Sequence, residues 1–120
     1  MVKNKMVYIC SPFRGDSARN VEYAKSLTRA AVAAGYAPVT THLYLTMVLD
    51  DADPEEREAG MRAGAEILHC CKYILIGGRF GISEGMKAEI RQAKEEKKIF
   101  LFESKEGVVL QLHGVSDPII

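Results

Sequence analysis

Tyr73-Ile74-Leu75-Ile76 is apolar at all four positions and stops at Gly77-Gly78. A strand of that kind offers water no polar face, so it belongs inside a sheet that is covered on both sides. Met6-Val7-Tyr8-Ile9-Cys10 has the same character. Tyr36 to Thr41 and Lys98 to Phe102 read as two further strands, and Val108 to Leu112 is a candidate fifth. Longer amphipathic stretches lie between them. Asp16 or Ser17 caps a helix reaching about Ala34, with Val21, Ala24, Leu27, Ala31 and Ala34 on its buried face and Gly35 ending it. Asp53-Pro54-Glu55-Glu56 opens a second helix, running to about Cys70. It combines an Asp cap, Pro at the first helical position, acids at the positive end of the dipole, and Glu56 placed for a capping box. Ser83 caps a third helix through about Glu96. Leu43 to Leu49 is apolar and fits either a helical turn or the wall of a pocket.

Short strands alternating with helices predict right-handed βαβ units. The expected fold is a three-layer α/β arrangement of the Rossmann or flavodoxin-like kind, with a parallel sheet of four to five strands. With 120 residues and no internal repeat or linker, residues 1–120 are expected to form one domain. The tail from Gly114 is expected to be loose or to dock on a partner subunit.

Composition narrows the functional classes. Sixteen Lys and Arg balance sixteen Asp and Glu, and no basic run is present. That balance argues against binding to nucleic acid polymers or to anionic membranes. No apolar run approaches the roughly 20 residues of a membrane span, and Met6 to Cys10 is too short for a signal-peptide core of roughly 7–15 residues. Cys10, Cys70 and Cys71 are odd in number and two are adjacent, which leaves no ordinary disulfide framework; a cytoplasmic protein is expected. The Cys70-Cys71 pair reads as small buried apolar groups. His42, His69 and His113 have no metal-ligand spacing, so no metal site is expected.

In open parallel sheets, ligands bind beyond the carboxyl ends of the strands. That rule selects Ser11 to Asp16, Thr40 to Leu43, Gly77 to Gly85 and the segment after Phe102. Ser11-Pro12-Phe13-Arg14-Gly15-Asp16 leads into a helix start, where free N–H groups, the Arg14 fork and the backbone freedom of Gly15 suit a phosphate. The same residues also fit a plain capped turn with a surface arginine. Gly85 falls in the first turn of a helix, where glycine costs roughly 1 kcal/mol relative to alanine. Its compensation is room for a ligand, or close packing of that helix on the sheet. Met86, Ile90, Ala93 and Lys97 define the inward stripe of this helix, and Lys87, Arg91 and Glu95 point outward. Glu89 projects about 60° from Met86, on the edge of the stripe. It is either a ligand-facing carboxylate or a rim glutamate paired to a surface base. His42 either lines the same cleft or is a hydrogen-bonded structural histidine. Arg57, Glu58, Arg62 and Glu66 read as a solvated face that could edge a cleft.

Tyr8-Ile9-Cys10-Ser11-Pro12-Phe13-Arg14-Gly15, then Thr41-His42, then Ser83-Glu84-Gly85-Met86-Lys87-Ala88-Glu89-Ile90 resembles the nucleoside 2-deoxyribosyltransferase superfamily. The likeness is nearest its small nucleotide-hydrolase branch, the 2′-deoxynucleoside 5′-phosphate N-hydrolases and CMP hydrolases, and it extends to related short uncharacterised proteins. It covers roughly Met6 to Phe102. The resemblance implies Glu89 as the nucleophile at C1′ of the sugar and Tyr8 as the tyrosine that positions it. It implies Ser11, Arg14, Gly15, His42, Ser83, Gly85 and Met86 at the substrate. Serine at position 83, where deoxyribosyltransferases typically carry aspartate, matches the branch that holds a 5′-phosphate. The family aspartate ahead of the third strand has no match: between Arg57 and Lys72 the only acids are Glu58 and Glu66.

The expected activity is cleavage of the N-glycosidic bond of a nucleoside 5′-monophosphate through a covalent glycosyl-enzyme, with water as acceptor and no cofactor. The alternatives are a transferase exchanging bases between deoxynucleosides, and a catalytically weak nucleotide-binding module. The partner is a small nucleotide or nucleoside, and the resemblance implies a homodimer or larger homo-oligomer.

Overall fold

The computed structural model describes residues 4–104 and the backbone of residues 109–111. Five strands form one sheet: β1 (Met6–Cys10), β2 (Ala37–Val39), β3 (Tyr73–Ile76), β4 (Ile99–Glu103) and β5 (Val109–Gln111), in the order β2-β1-β3-β4-β5. The first four are parallel. β5 runs antiparallel on the edge of β4, so the all-parallel expectation holds for four strands and not for the fifth. Val108, Leu112 and the tail from Gly114 lie outside the described residues.

Four helices complete the layers: α1 (Ser17–Ala33), α2 (Leu45–Val48), α3 (Pro54–Cys70) and α4 (Glu84–Glu95). The chain leaves β1 toward β2 through α1, then reverses to reach β3 on the other side of β1 through α3. Right-handed crossovers in opposite directions put α1 on one face and α3 with α4 on the other. The two cores follow from strand alternation. Val7, Ile9, Leu75 and Leu101 pack with Tyr23, Leu27 and Ala31 of α1. Tyr8, Cys10, Ile74 and Ile76 pack with Leu68 of α3 and with Met86, Ile90 and Ala93 of α4.

Each long helix starts on its expected cap. Asp16 accepts from the Arg19 amide, Asp53 from Glu55 and Ser83 from Met86. Several local expectations are corrected. Glu56 closes no capping box; the Asp53 amide donates to the Asp50 carbonyl instead. The buried stripe of α1 is Asn20, Tyr23, Ala24, Leu27 and Ala31, while Val21 is 37% exposed and Ala34 is exposed. Rotation toward Asn20 and Tyr23 lets their polar tips reach the loops described below. Lys97 is exposed because α4 has already ended; it adopts a positive φ of 58° in the turn before β4. The second strand is only Ala37–Val39, and Thr41–Leu43 is a 3₁₀ turn. Cys71 is buried but Cys70 is exposed. The segment around Leu43 to Leu49 is that 3₁₀ turn followed by α2, with Met47 and Val48 exposed.

Candidate active site

The carboxyl ends of β1 and β3 lie side by side, with Cys10 opposite Ile76 and the Gly77 amide donating to the Cys10 carbonyl at 2.8 Å. The β1–α1 and β3–α4 loops therefore leave the sheet together, and Thr40 to Leu43 leaves from β2 beside them. This is where the chain reverses direction, between β1 and β3.

Tyr8 and Glu89 meet here from adjacent layers, the sheet and the helices packed on it. Tyr8 points from β1 into the core shared with α3 and α4, and its hydroxyl donates to Glu89 Oε2. The Tyr8 oxygen is 3.2 Å from Thr41 Oγ1, so with the tyrosine proton directed at Glu89 the threonine donates to the tyrosine. Gly64 brings α3 close over the hydroxyl: a Cβ there would sit 3.5 Å from Tyr8 Oη. Glu89 is half-buried, at the edge of the apolar stripe. Burial raises its carboxyl to about 7, against the opposing hydrogen bonds of Tyr8 and Cys10. Burial and the adjacent carboxylate push the Tyr8 hydroxyl well above its usual range, so it stays a donor at any physiological pH. A carboxylate held by a neutral phenol in a poorly solvated corner is a competent nucleophile or base.

The β1–α1 loop is built by Asn20, which no sequence pattern singles out. Its buried amide donates to the Phe13 and Arg14 carbonyls at 3.2 and 2.9 Å. Gly15 adopts φ +103°, a conformation that favours glycine, and faces open space. Ser11 is 1% exposed, and its Oγ is the one buried side-chain polar atom without a hydrogen-bond partner among the described residues. A ligand oxygen would satisfy it. His42 stacks on Phe13 with ring centroids 5.3 Å apart, which fixes the imidazole against the β1–α1 loop. Burial lowers its pKa, so the imidazole is neutral at pH 7. Arg14 is exposed and ion-paired to Asp51 at 2.7 Å.

Across the cleft, Ser83 caps α4 and Gly85 has nothing within 4 Å of an added Cβ. Packing of the helix on the sheet therefore does not explain Gly85. Met86, by contrast, buries its side chain in the core, so only its backbone belongs to this turn. The loop itself is locked from the α1 face. Glu103, at the end of β4, accepts from Tyr23 Oη at 2.8 Å and from Arg79 Nη2 at 2.6 Å, and the Arg79 amide donates to Tyr23 Oη at 3.1 Å. A Cβ on Gly77 would overlap Leu27. The sequence carries no sign of the Tyr23–Glu103 hydrogen bond, since those residues lie 80 positions apart.

On α3, Gly64 rather than an acid approaches Tyr8. Glu66 is exposed and, two residues on, points about 200° away from Gly64. Glu58 is exposed and paired to Arg62 at 3.0 Å. Among the described residues no group of three or more His, Cys, Asp and Glu is arranged to hold a metal ion, and no helix is long and apolar enough to cross a membrane.

No curated protein matches the chain. Among solved structures it is similar to a 2-deoxyribosyltransferase from Bacillus psychrosaccharolyticus, with a TM-score of 0.64 at 13% identity over 81% of this chain and 70% of the other. It is also similar to a 2-deoxyribosyltransferase from Leishmania mexicana, with a TM-score of 0.56 at 14% identity over 93% and 81%. The α/β fold is thus the one those two proteins share. A family model described as a domain of unknown function, DUF7768, matches residues 5–102, nearly the whole described region, and the chain belongs to that family.

Proposed function

We propose that this chain cleaves the N-glycosidic bond of a nucleoside 5′-monophosphate, with Glu89 as nucleophile and water as final acceptor. The observation that carries the reading is the Tyr8 hydroxyl donating to the Glu89 carboxylate at the topological switch point of the sheet. In the first step a Glu89 oxygen bonds to C1′ as the C1′–N bond breaks; the base departs with the electron pair and is protonated from solvent. In the second, water attacks C1′, its oxygen stays on the sugar with one hydrogen, its other proton returns to solvent, and the Glu89 carboxylate is released. Tyr8 and Thr41 aim the carboxylate. The orphan Ser11 hydroxyl, Arg14, the open backbone at Gly15, Ser83 and the vacant side of Gly85 suit a phosphate between two loops. His42 and the Met86 backbone complete the walls. No cofactor enters either step.

The reading goes with a cytoplasmic chain that assembles as a homodimer or larger oligomer. For the assembly, Met47, Val48 and Met61 are large apolar side chains left exposed, of the kind a subunit contact covers. A transferase passing the sugar to a second base is the other enzymatic reading; the two similar structures carry that name, and the shared fold favours neither activity. A weakly catalytic binding module is favoured by the lack of an acid on α3 facing Tyr8.

Chromatography of base release from ribo- and deoxyribonucleoside 5′-monophosphates and their unphosphorylated forms, wild type beside Glu89→Ala, tests the proposal. Release from monophosphates that the substitution abolishes is the expected result. A new nucleoside formed on adding a second base moves the assignment to the transferase. Tight binding without release moves it to the binding module, and full turnover by Glu89→Ala overturns the mechanism.

A further inference from the structure

Two guanidinium groups from different elements converge on one carboxylate beside the site. Arg14 Nη2, from the β1–α1 loop, is 2.7 Å from Asp51 Oδ2, and Arg57 Nε, from α3, is 4.0 Å from Asp51 Oδ1. Asp51 belongs to the stretch joining α2 to α3. Beside it opens a recess lined by Asp51, Ala52, Pro54, Arg57, Glu58 and Met61. Glu58, the other acid of that recess, is paired to Arg62. The trio of Arg14, Arg57 and Asp51 therefore carries one net positive charge, and the Asp51 carboxylate satisfies Arg14 closely and Arg57 only at long range.

All three side chains are 42–58% exposed. An ion pair so well solvated is worth little and exchanges readily. A phosphate monoester has three oxygens and up to two charges where a carboxylate has two oxygens and one charge. It can meet both planar forks at once.

We infer that Arg14 and Arg57 form an anion subsite whose resting occupant is Asp51, and that the phosphate of a sugar phosphate displaces that carboxylate. This rests on the phosphorylated-substrate reading above and adds Arg57 as a binding residue and Asp51 as a specificity-determining one. The carboxylate screens the two arginines from weaker anions and leaves room for a dianion.

Calorimetric binding of ribose 5-phosphate, with ribose as the uncharged control, to the full chain tests the inference in wild type, D51N and R57Q. Both positions are exposed, and circular dichroism verifies that the variants fold. D51N is expected to bind ribose 5-phosphate at least about threefold more tightly, the scale of one exposed ion pair released. R57Q is expected to bind it at least about fivefold more weakly, the scale of removing one charge-assisted hydrogen bond. Both effects should shrink in high salt and be absent with ribose. Weaker or equal binding by D51N, unchanged binding by R57Q, or no binding by any of the three overturns the subsite. Base release from monophosphates without this pattern leaves the reaction standing and removes the subsite. The pattern without base release from any nucleotide does the reverse.

Discussion

Glu89 should make the protein less stable as the pH rises, and removing its charge should reverse that. Burial lifts the carboxyl from 4.5 to about 7 in the folded chain. Between those values the folded state holds a proton that the unfolded state has lost. Folding stability therefore falls as pH rises through the window, and the full loss is reached above pH 7. The rise corresponds to roughly 3 kcal/mol at its limit, of which about 2 to 3 kcal/mol develops between pH 5 and pH 8. Glu89→Gln keeps the shape and an oxygen for the Tyr8 hydroxyl while removing the charge. Urea denaturation of both proteins at pH 5 and pH 8 isolates the effect, because every other titrating group is common to the pair. The variant should be close to wild type at pH 5 and more stable by about 2 kcal/mol at pH 8. A gap between the two proteins that is the same at both pH values, or a variant less stable at pH 8, would refute the assignment of Glu89 as a destabilised, poorly solvated carboxylate.

Tyr8→Phe removes the donor to Glu89, so the acid limb of the kcat/KM profile should move to higher pH, with a stability loss of about 1 to 3 kcal/mol from the unpaired carboxylate and Thr41. A pH–rate series with parallel denaturation reads both. Gly85→Ala should raise thermal stability, by up to ~1 kcal/mol, because nothing opposes the new Cβ, while KM for the phosphorylated substrate rises. Gly77→Ala should lower stability by about 1 to 3 kcal/mol through its overlap with Leu27, which a melting curve detects. Asn20→Ala strands the Phe13 and Arg14 carbonyls and should cost about 1 to 3 kcal/mol in denaturant, with faster hydrogen exchange in residues 11–16.

The parts of the molecule legible in the sequence are those written in local chemistry. Asp16, Asp53 and Ser83 announce their helices because a cap acts on amides two or three residues away. Tyr73 to Ile76 announces a buried strand because it has no polar face. Glu89 at the edge of its stripe follows from helical geometry, and its meeting with Tyr8 is implied only by resemblance. What escapes depends on contacts between distant segments. Asn20 looks like a polar residue early in a helix until the Phe13 and Arg14 carbonyls come within reach. Val21 and Tyr23 cannot be ranked for burial without Glu103, 80 residues beyond Tyr23. Arg14 and Arg57 share the carboxylate of Asp51, two residues ahead of the Asp53 helix start, where no local pattern marks it. Met47 and Val48 are apolar yet exposed, which hydrophobic patterning alone cannot express.

The proposed reaction turns on a covalent bond between Glu89 and the sugar. Rapid acid quench of the protein turning over a nucleoside 5′-monophosphate, followed by intact-mass and peptide mass spectrometry, addresses it directly. An added mass of one sugar phosphate, less water, is expected on the peptide carrying Glu89, and none on Glu89→Gln. Base release without that adduct in the wild type, or an adduct on another residue, would contradict it.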